Sequence, residues 1–206
     1  MIPVLLADDE TLIRTALATL LGLEADIEVA GHVGSGEELV AVWQRRLAEG
    51  APVAVAVIDL QMPGMDGIET AVELQRLTPG VGTLIVTSHG RPGYLKRALA
   101  AGVRGFLPKT SSAATLAAVI RTVHTGGRYV DPELAAEAIS AGDTVLTGRE
   151  ADVLEYAIDG ASVDDIARRA HLSPGTTRNY LSAAMAKLGV SNRYEAALKA
   201  REKGWI

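Results

Sequence analysis

The first 125 residues alternate short apolar runs with helix-like segments, and few folds satisfy that alternation. The runs occupy residues 4–7, 27–33, 53–58, 83–87 and 103–107. Helical patterns fill residues 11–21, 36–48, 68–77, 94–101 and 113–125. A run such as Val53-Ala54-Val55-Ala56-Val57-Ile58 has no polar face, so it suits a strand covered on both sides, as in a parallel sheet. Five β and five α elements in strict alternation predict an open parallel sheet with helices on both faces. This is an α/β, flavodoxin-like (βα)5 unit. With strand order 2-1-3-4-5, its crevice lies between the first and third strands at their carboxyl ends. Apolar residues make up 48% of the chain, but there are only one Phe and two Trp, so the core is aliphatic.

Asp59 ends the third run and Asp8-Asp9 end the first, so the expected strand order gathers all three in the crevice. Clustered carboxylates repel one another and raise their own pKa values unless a cation sits among them. Hard oxygen ligands suit Mg²⁺, and a carboxylate can itself be a nucleophile that forms an aspartyl phosphate. Thr87 ends the fourth run and Lys109 follows the fifth, a hydroxyl and a cation placed to bind phosphoryl oxygens. Singly, each has an ordinary reading. A strand-end Asp caps a helix, as Asp8 or Asp9 could cap the first one; Lys109 could be a solvated loop residue and Thr87 a plain strand residue. Their joint arrival at the carboxyl ends of four strands favours the functional reading.

On these residues the resemblance to a family is specific. Residues 1–125 resemble the receiver domain of bacterial two-component response regulators. The match rests on Ala7-Asp8-Asp9-Glu10, on Val57-Ile58-Asp59-Leu60-Gln61-Met62-Pro63-Gly64-Met65-Asp66-Gly67, on Thr87-Ser88 and on Gly105-Phe106-Leu107-Pro108-Lys109. The resemblance implies that Asp59 accepts phosphate from a sensor histidine kinase. It implies that Asp9 and Asp59 hold Mg²⁺ with the Gln61 carbonyl, Asp8 acting through water. Thr87 and Lys109 would sense the phosphoryl group, and Phe106 would be the aromatic that repacks. Two departures stand out: Gly90 and Pro92 delay the fourth helix, and Pro108 precedes Lys109 where many receivers have Pro after it. His89 and Gln61 flank the site, where the family tunes the lifetime of the phosphate.

Beyond residue 125 the pattern changes. Gly126-Gly127 end the fifth helix, Asp131-Pro132 open a short linker helix over 132–140, and Ala141-Gly142-Asp143 form a hinge. The expected division is a receiver at 1–125, a linker at 126–143 and an all-helical unit at 144–206. Residues 1–143 carry 11 Lys and Arg against 17 Asp and Glu, while residues 144–206 carry 9 against 8, so the acidic excess belongs to the first part. Thr147-Gly148-Arg149-Glu150 is a capping box. Ser162 or Asp164 starts a second helix, and Ser173-Pro174 open a third, making a helix-turn-helix.

In that third helix Thr177, Leu181, Ala184 and Leu188 recur at helical spacing and face the core. Arg178, Asn179 and Ser182 occupy the opposite side, where they can reach phosphates and base edges in a major groove. Lys187, Asn192 and Arg193 follow, placed for the backbone. The ordinary alternative is a solvated helix face, and a local net charge of +1 keeps monomeric DNA affinity weak. Residues 146–204 resemble the helix-turn-helix of the LuxR/NarL family, through Leu146–Glu150, Val153-Leu154, Ile166-Ala167, Leu172-Ser173, Thr176, Lys187-Leu188-Gly189-Val190, Asn192-Arg193 and Glu195-Ala196. Thr177 replaces the usual Val and Asp165 the usual Glu. Thr176 joins the expected DNA-facing set.

The two resemblances together identify the chain as a member of the NarL/FixJ-type response regulators; its Gly90–Leu95 segment and Lys203-Gly204-Trp205-Ile206 end are similar to those of DesR-like members. The implied partners are a sensor histidine kinase, double-stranded promoter DNA and a second copy of the chain. For the homodimer, surplus apolar residues suggest the first helix (Leu12, Ile13, Leu17, Leu20, Leu21) and the fifth (Leu116, Val119, Ile120, Val123). No run approaches the roughly 20 apolar residues of a membrane span, and no charged region precedes the first apolar run, so neither membrane insertion nor a signal peptide is expected. The absence of Cys excludes disulfides and thiolate metal sites and fits a cytoplasmic protein. A phosphatase with an aspartyl nucleophile, resembling the haloacid dehalogenases, would need Asp-x-Asp; Gln61 stands at that second position, so a regulator rather than an enzyme is expected.

Overall fold

A computed structural model of the chain describes residues 1–88, 92–140 and 144–206. His89, expected beside the site, Gly90 and Arg91, in the segment expected to delay the fourth helix, and the expected hinge at 141–143 lie outside the described residues. The elements begin β1 (Ile2–Ala7), α1 (Thr11–Leu21), β2 (Ile27–Val33), α2 (Gly36–Ala48), β3 (Val55–Asp59) and α3 (Gly67–Leu77). Next come β4 (Gly82–Thr87), α4 (Pro92–Ala100), β5 (Gly105–Pro108), α5 (Ala113–His124) and β6 (Tyr129–Val130). The helices α6 (Pro132–Ser140), α7 (Gly148–Ala157), α8 (Val163–Arg169), α9 (Pro174–Leu188) and α10 (Arg193–Glu202) complete the order. They cluster into two compact units, one of Met1–Gly90 with Arg97–Pro132, the other of Arg91–Lys96 with Glu133–Ile206.

The sheet of the first unit has the order β2-β1-β3-β4-β5-β6 and every pairing is parallel. This is the expected order with one strand added at the edge. The segment after Gly127 carried no strand expectation, yet Tyr129 and Val130 pair with Gly105 and Phe106. The Tyr129 N–H donates to Arg104 at 2.8 Å and the Asp131 N–H to Phe106 at 3.0 Å. Two residues are too few to show a period, so only pairing reveals such a strand.

All of β3 and β4 is buried, as uninterrupted apolar runs require. One face of the sheet packs Val4, Leu6, Val57 and Leu84 against Leu21 of α1 and Ile120 of α5. On α2, Trp43 is fully buried and donates its indole N–H to Thr78 Oγ1 at 3.0 Å, so its one polar atom is satisfied. The expectation of an apolar surplus on α5 is corrected here: Leu116, Val119, Ile120 and Val123 are all buried. Burying such a side chain contributes about 1.5–3 kcal/mol, which commits that stripe to the core. Of these two helices α1 keeps an outward surplus, with Leu12 83% and Leu20 43% exposed, although Leu21 is buried.

The second unit is held by a small aliphatic core in which Val153, Leu154, Ile166, Leu181, Ala184 and Leu188 meet Ala196 and Ala200 of α10. Its helices start where the sequence places cap residues. Thr147 and Glu150 form the reciprocal capping box of α7, and Ser162, Ser173 and Asn192 cap α8, α9 and α10. No helix among the described residues is long and apolar enough to cross a membrane.

Candidate functional site

Parallel register carries four strand ends to one level. Ala7 is opposite Ile58, Asp59 opposite Val86, and Thr87 opposite Pro108. The residues that leave these strands therefore meet at the carboxyl edge. Pro108 cannot donate a ladder bond and stands at the strand end, where that matters least. The next rung comes from the Lys109 N–H, which donates to the Thr87 carbonyl at 2.7 Å. Beyond Asp59 the chain turns sharply, and the Gly67 N–H donates to the Leu60 carbonyl at 3.0 Å. A Cβ on Gly67 would lie 2.2 Å from the Asp59 carbonyl oxygen, so a side chain there would displace the backbone that carries Asp59.

The centre of the site is the Lys109 ammonium. It lies 2.9 Å from Asp8 Oδ2, 3.1 Å from Asp59 Oδ2 and 2.8 Å from Glu10 Oε1. Asp8 and Asp59 are buried, as is the lysine side chain, whereas Glu10 is half exposed. Asp8 Oδ1 also accepts the Glu10 N–H at 2.8 Å, and Arg14 donates to the Asp8 carbonyl. Burial pushes Asp59 up to about 7; the Lys109 charge opposes this, and the Asp8 and Asp9 charges reinforce it. Burial likewise raises Asp8 against the pull of Lys109. Burial works against the lysine too, but Glu10, Asp59 and Asp8 together outweigh it and hold its pKa above the usual lysine range. One cation thus serves more negative charge than it can neutralise.

That excess of hard oxygen donors fits a small divalent cation. One oxygen each from Asp8, Glu10 and Asp59 lie within 4.8 Å of one another. Glu10 had no role in the sequence reading, which named Asp8, Asp9, Asp59 and Gln61. The missed signal is spacing: residues two apart share a side of an extended chain, so Asp8 and Glu10 both reach Lys109. Asp9 is outside that oxygen group among the described residues, and its charge acts on Asp59. Thr87, the last residue of β4, and Phe106, the second residue of the neighbouring β5, are both buried.

The helical unit builds a second candidate surface. In α9 the buried positions are Thr177, Leu181, Ala184 and Leu188, as the spacing predicts. Thr177 stays buried by donating its hydroxyl to the Ser173 carbonyl at 3.0 Å. Arg178, Asn179 and Ser182 are exposed together, with Thr176 at the helix start partly covered and bonded to Ser173 Oγ. Asn192 caps α10 by accepting the Glu195 N–H at 2.8 Å, and Arg193 is the first residue of that helix. Lys187 is engaged differently: its ammonium lies 2.7 Å from Glu150 Oε2.

Comparison with known proteins agrees with both halves. The description "Response regulator receiver domain" matches residues 4–121, and "Bacterial regulatory proteins, luxR family" matches residues 144–200. The chain is 40% identical over 206 residues to the transcriptional regulatory protein DesR of Bacillus subtilis (strain 168), covering 100% of both chains. It is 39% identical over 205 residues to the transcriptional regulatory protein UhpA of Escherichia coli (strain K12), again covering 100% of both. Among solved structures it is similar to the response regulator ChrA of a heme-sensing two-component system, at 29% identity and a TM-score of 0.56, covering 100% of this chain and 98% of that one. A receiver with its acidic crevice intact, joined to a LuxR-type helix-turn-helix and matched end to end by such relatives, makes this chain a member of the NarL/FixJ-type response regulators.

Proposed function

We propose that the protein is a phosphorylation-switched transcription factor. Asp59 takes a phosphoryl group from a sensor histidine kinase, and the modified form dimerises and binds promoter DNA. The observation that carries this reading is the buried Lys109 ammonium within 3.1 Å of Asp59 Oδ2 and 2.9 Å of Asp8 Oδ2. A cation held there can follow the charge as it moves from the carboxylate onto a phosphoryl group. An Asp59 oxygen attacks phosphorus, the new O–P bond forms as the phosphohistidine N–P bond breaks, and the imidazole keeps the bonding pair. Lys109 then donates to the phosphoryl oxygens, and the Thr87 hydroxyl closes on another. Asp8, Asp59 and Glu10, with Asp9 and the Gln61 carbonyl, are the candidates to hold Mg²⁺, which would neutralise phosphoryl charge and keep Asp59 ionised.

The output surface is the exposed face of α9, with Thr176, Arg178, Asn179 and Ser182 toward the groove and Asn192 and Arg193 toward the backbone. Exposed Leu12 and Leu20 contribute α1 to the dimer, which presents two recognition helices to successive turns of DNA. This reading places the protein in the cytoplasm and makes it a regulator whose phosphate is a signal rather than a turned-over product. With acetyl phosphate and Mg²⁺, the intact mass should rise by one phosphoryl group, and Asp59→Asn should gain nothing. Unlabelled wild-type protein, or steady hydrolysis of phosphomonoesters by the purified chain, would contradict it.

A further inference from the structure

Lys187 stands next to last in the recognition helix, a position from which a cation would ordinarily be read as a phosphate contact. Its place around α9 speaks against that. At 3.6 residues per turn it stands about two and a half turns beyond Arg178, so it projects roughly half a turn away from the Arg178 side. Arg178 and Ser182 share a face that Lys187 does not. What it meets instead is Glu150, the third helical residue of α7, whose side chain is only 6% exposed. Glu150 Oε2 accepts the Thr147 N–H at 2.7 Å to close the capping box, and the same oxygen accepts from Lys187 Nζ at 2.7 Å. This capping-box glutamate is buried, and burying a carboxylate charge is costly unless a partner offsets it.

We propose that Lys187 is a positioning residue: it clamps the carboxyl end of the recognition helix to the buried Glu150 and thereby sets the pose of α9, while donating nothing to DNA phosphates. The proposal rests on the reading that this unit binds DNA. It assigns the pair a role distinct from that of Arg178, which touches the ligand. A phosphate contact releases counterions and appears in the salt dependence of binding, whereas a residue that only orients a helix does not.

The test uses the full chain and a labelled random-sequence DNA duplex, titrated across a range of salt. Lys187→Met should weaken binding roughly fivefold through loss of the coupling to Glu150, with the slope of log affinity against log salt unchanged. Arg178→Ala should flatten that slope by about 0.9, the value of one phosphate contact. Glu150→Gln combined with Lys187→Met removes both charges while the amide can still close the capping box, and it should recover most of the lost affinity. A flatter slope for Lys187→Met, or no recovery in the double variant, overturns the proposal. Chemical unfolding of four proteins (wild type, Lys187→Met, Glu150→Gln and their double variant) reads the pairing separately. Coupling is expected there even if wild-type protein binds no DNA, an outcome that would sink the DNA-binding reading instead; additive unfolding effects would overturn the clamp.

Discussion

Asp59→Asn should make the receiver harder to unfold, by roughly 2–4 kcal/mol at pH 8 without metal, while abolishing phosphoryl uptake. The reason is the cost of an ionised carboxylate in a buried, already acidic place. Its pKa rises from 3.8 to about 7 in the fold, so the native state favours the protonated form and ionisation subtracts stability. The penalty sets in as pH rises above about 4 and is complete above about 7; a rise of this size corresponds to roughly 4 kcal/mol at most. Asparagine never ionises. The advantage of the variant should therefore be largest at pH 8 and close as pH falls toward 4. Urea unfolding of both proteins across that range checks it. Saturating Mg²⁺ should also narrow the gap at pH 8, because a cation bound by the native state stabilises wild type. A variant less stable than wild type at pH 8 would mean that the carboxylates are not in conflict.

Lys109→Met should have the opposite effect and a larger one. It removes the cation bound at 2.8–3.1 Å to Asp8, Glu10 and Asp59. Breaking a buried ion pair from one side costs about 3–5 kcal/mol, because the remaining charge has no partner. Here Asp8 and Asp59 both lose their neutraliser, and their already raised pKa values should climb further. The deficit should be greatest at pH 8 and shrink toward pH 5 as the carboxylates take up protons. Mg²⁺ should restore part of it. Unfolding in urea at the two pH values, with chelator and then with Mg²⁺, measures all three effects. The Lys109 pKa itself lies far above this window, so its own titration contributes nothing there. Equal stability of variant and wild type at pH 8 would remove Lys109 from the centre of the site.

The legible part of this site and the illegible part differ for physical reasons. Asp8, Asp59, Thr87 and Lys109 could be read because strand ends in a parallel sheet converge, and apolar runs mark strands well. Glu10 was missed though the same alternation that pairs residues two apart joins it to Asp8. The sixth strand was invisible because Tyr129 and Val130 are held by pairing to Gly105 and Phe106, not by any pattern of their own. An outward surplus was expected on α5 because helical periodicity reveals an apolar stripe and not how much of it is covered; Ile120 and Val123 are wholly buried. In the second unit the caps at Thr147 and Ser173 were readable, whereas Asn192, expected to face the DNA backbone, turns out to cap α10. The burial of Glu150 was not, since a capping-box glutamate carries no sign of whether another helix will lie over it.

The central claim is that charge added at Asp59 controls DNA binding by α9. The most direct measurement is the affinity of the full chain for a labelled duplex from the region upstream of its own gene, with and without phosphoramidate and Mg²⁺. Wild-type protein should bind at least tenfold more tightly after phosphorylation, an added dimerisation advantage of about 1.4 kcal/mol or more, and Asp59→Asn should show no response. Equal binding by the phosphorylated and unphosphorylated protein, or a full response from Asp59→Asn, would contradict the account.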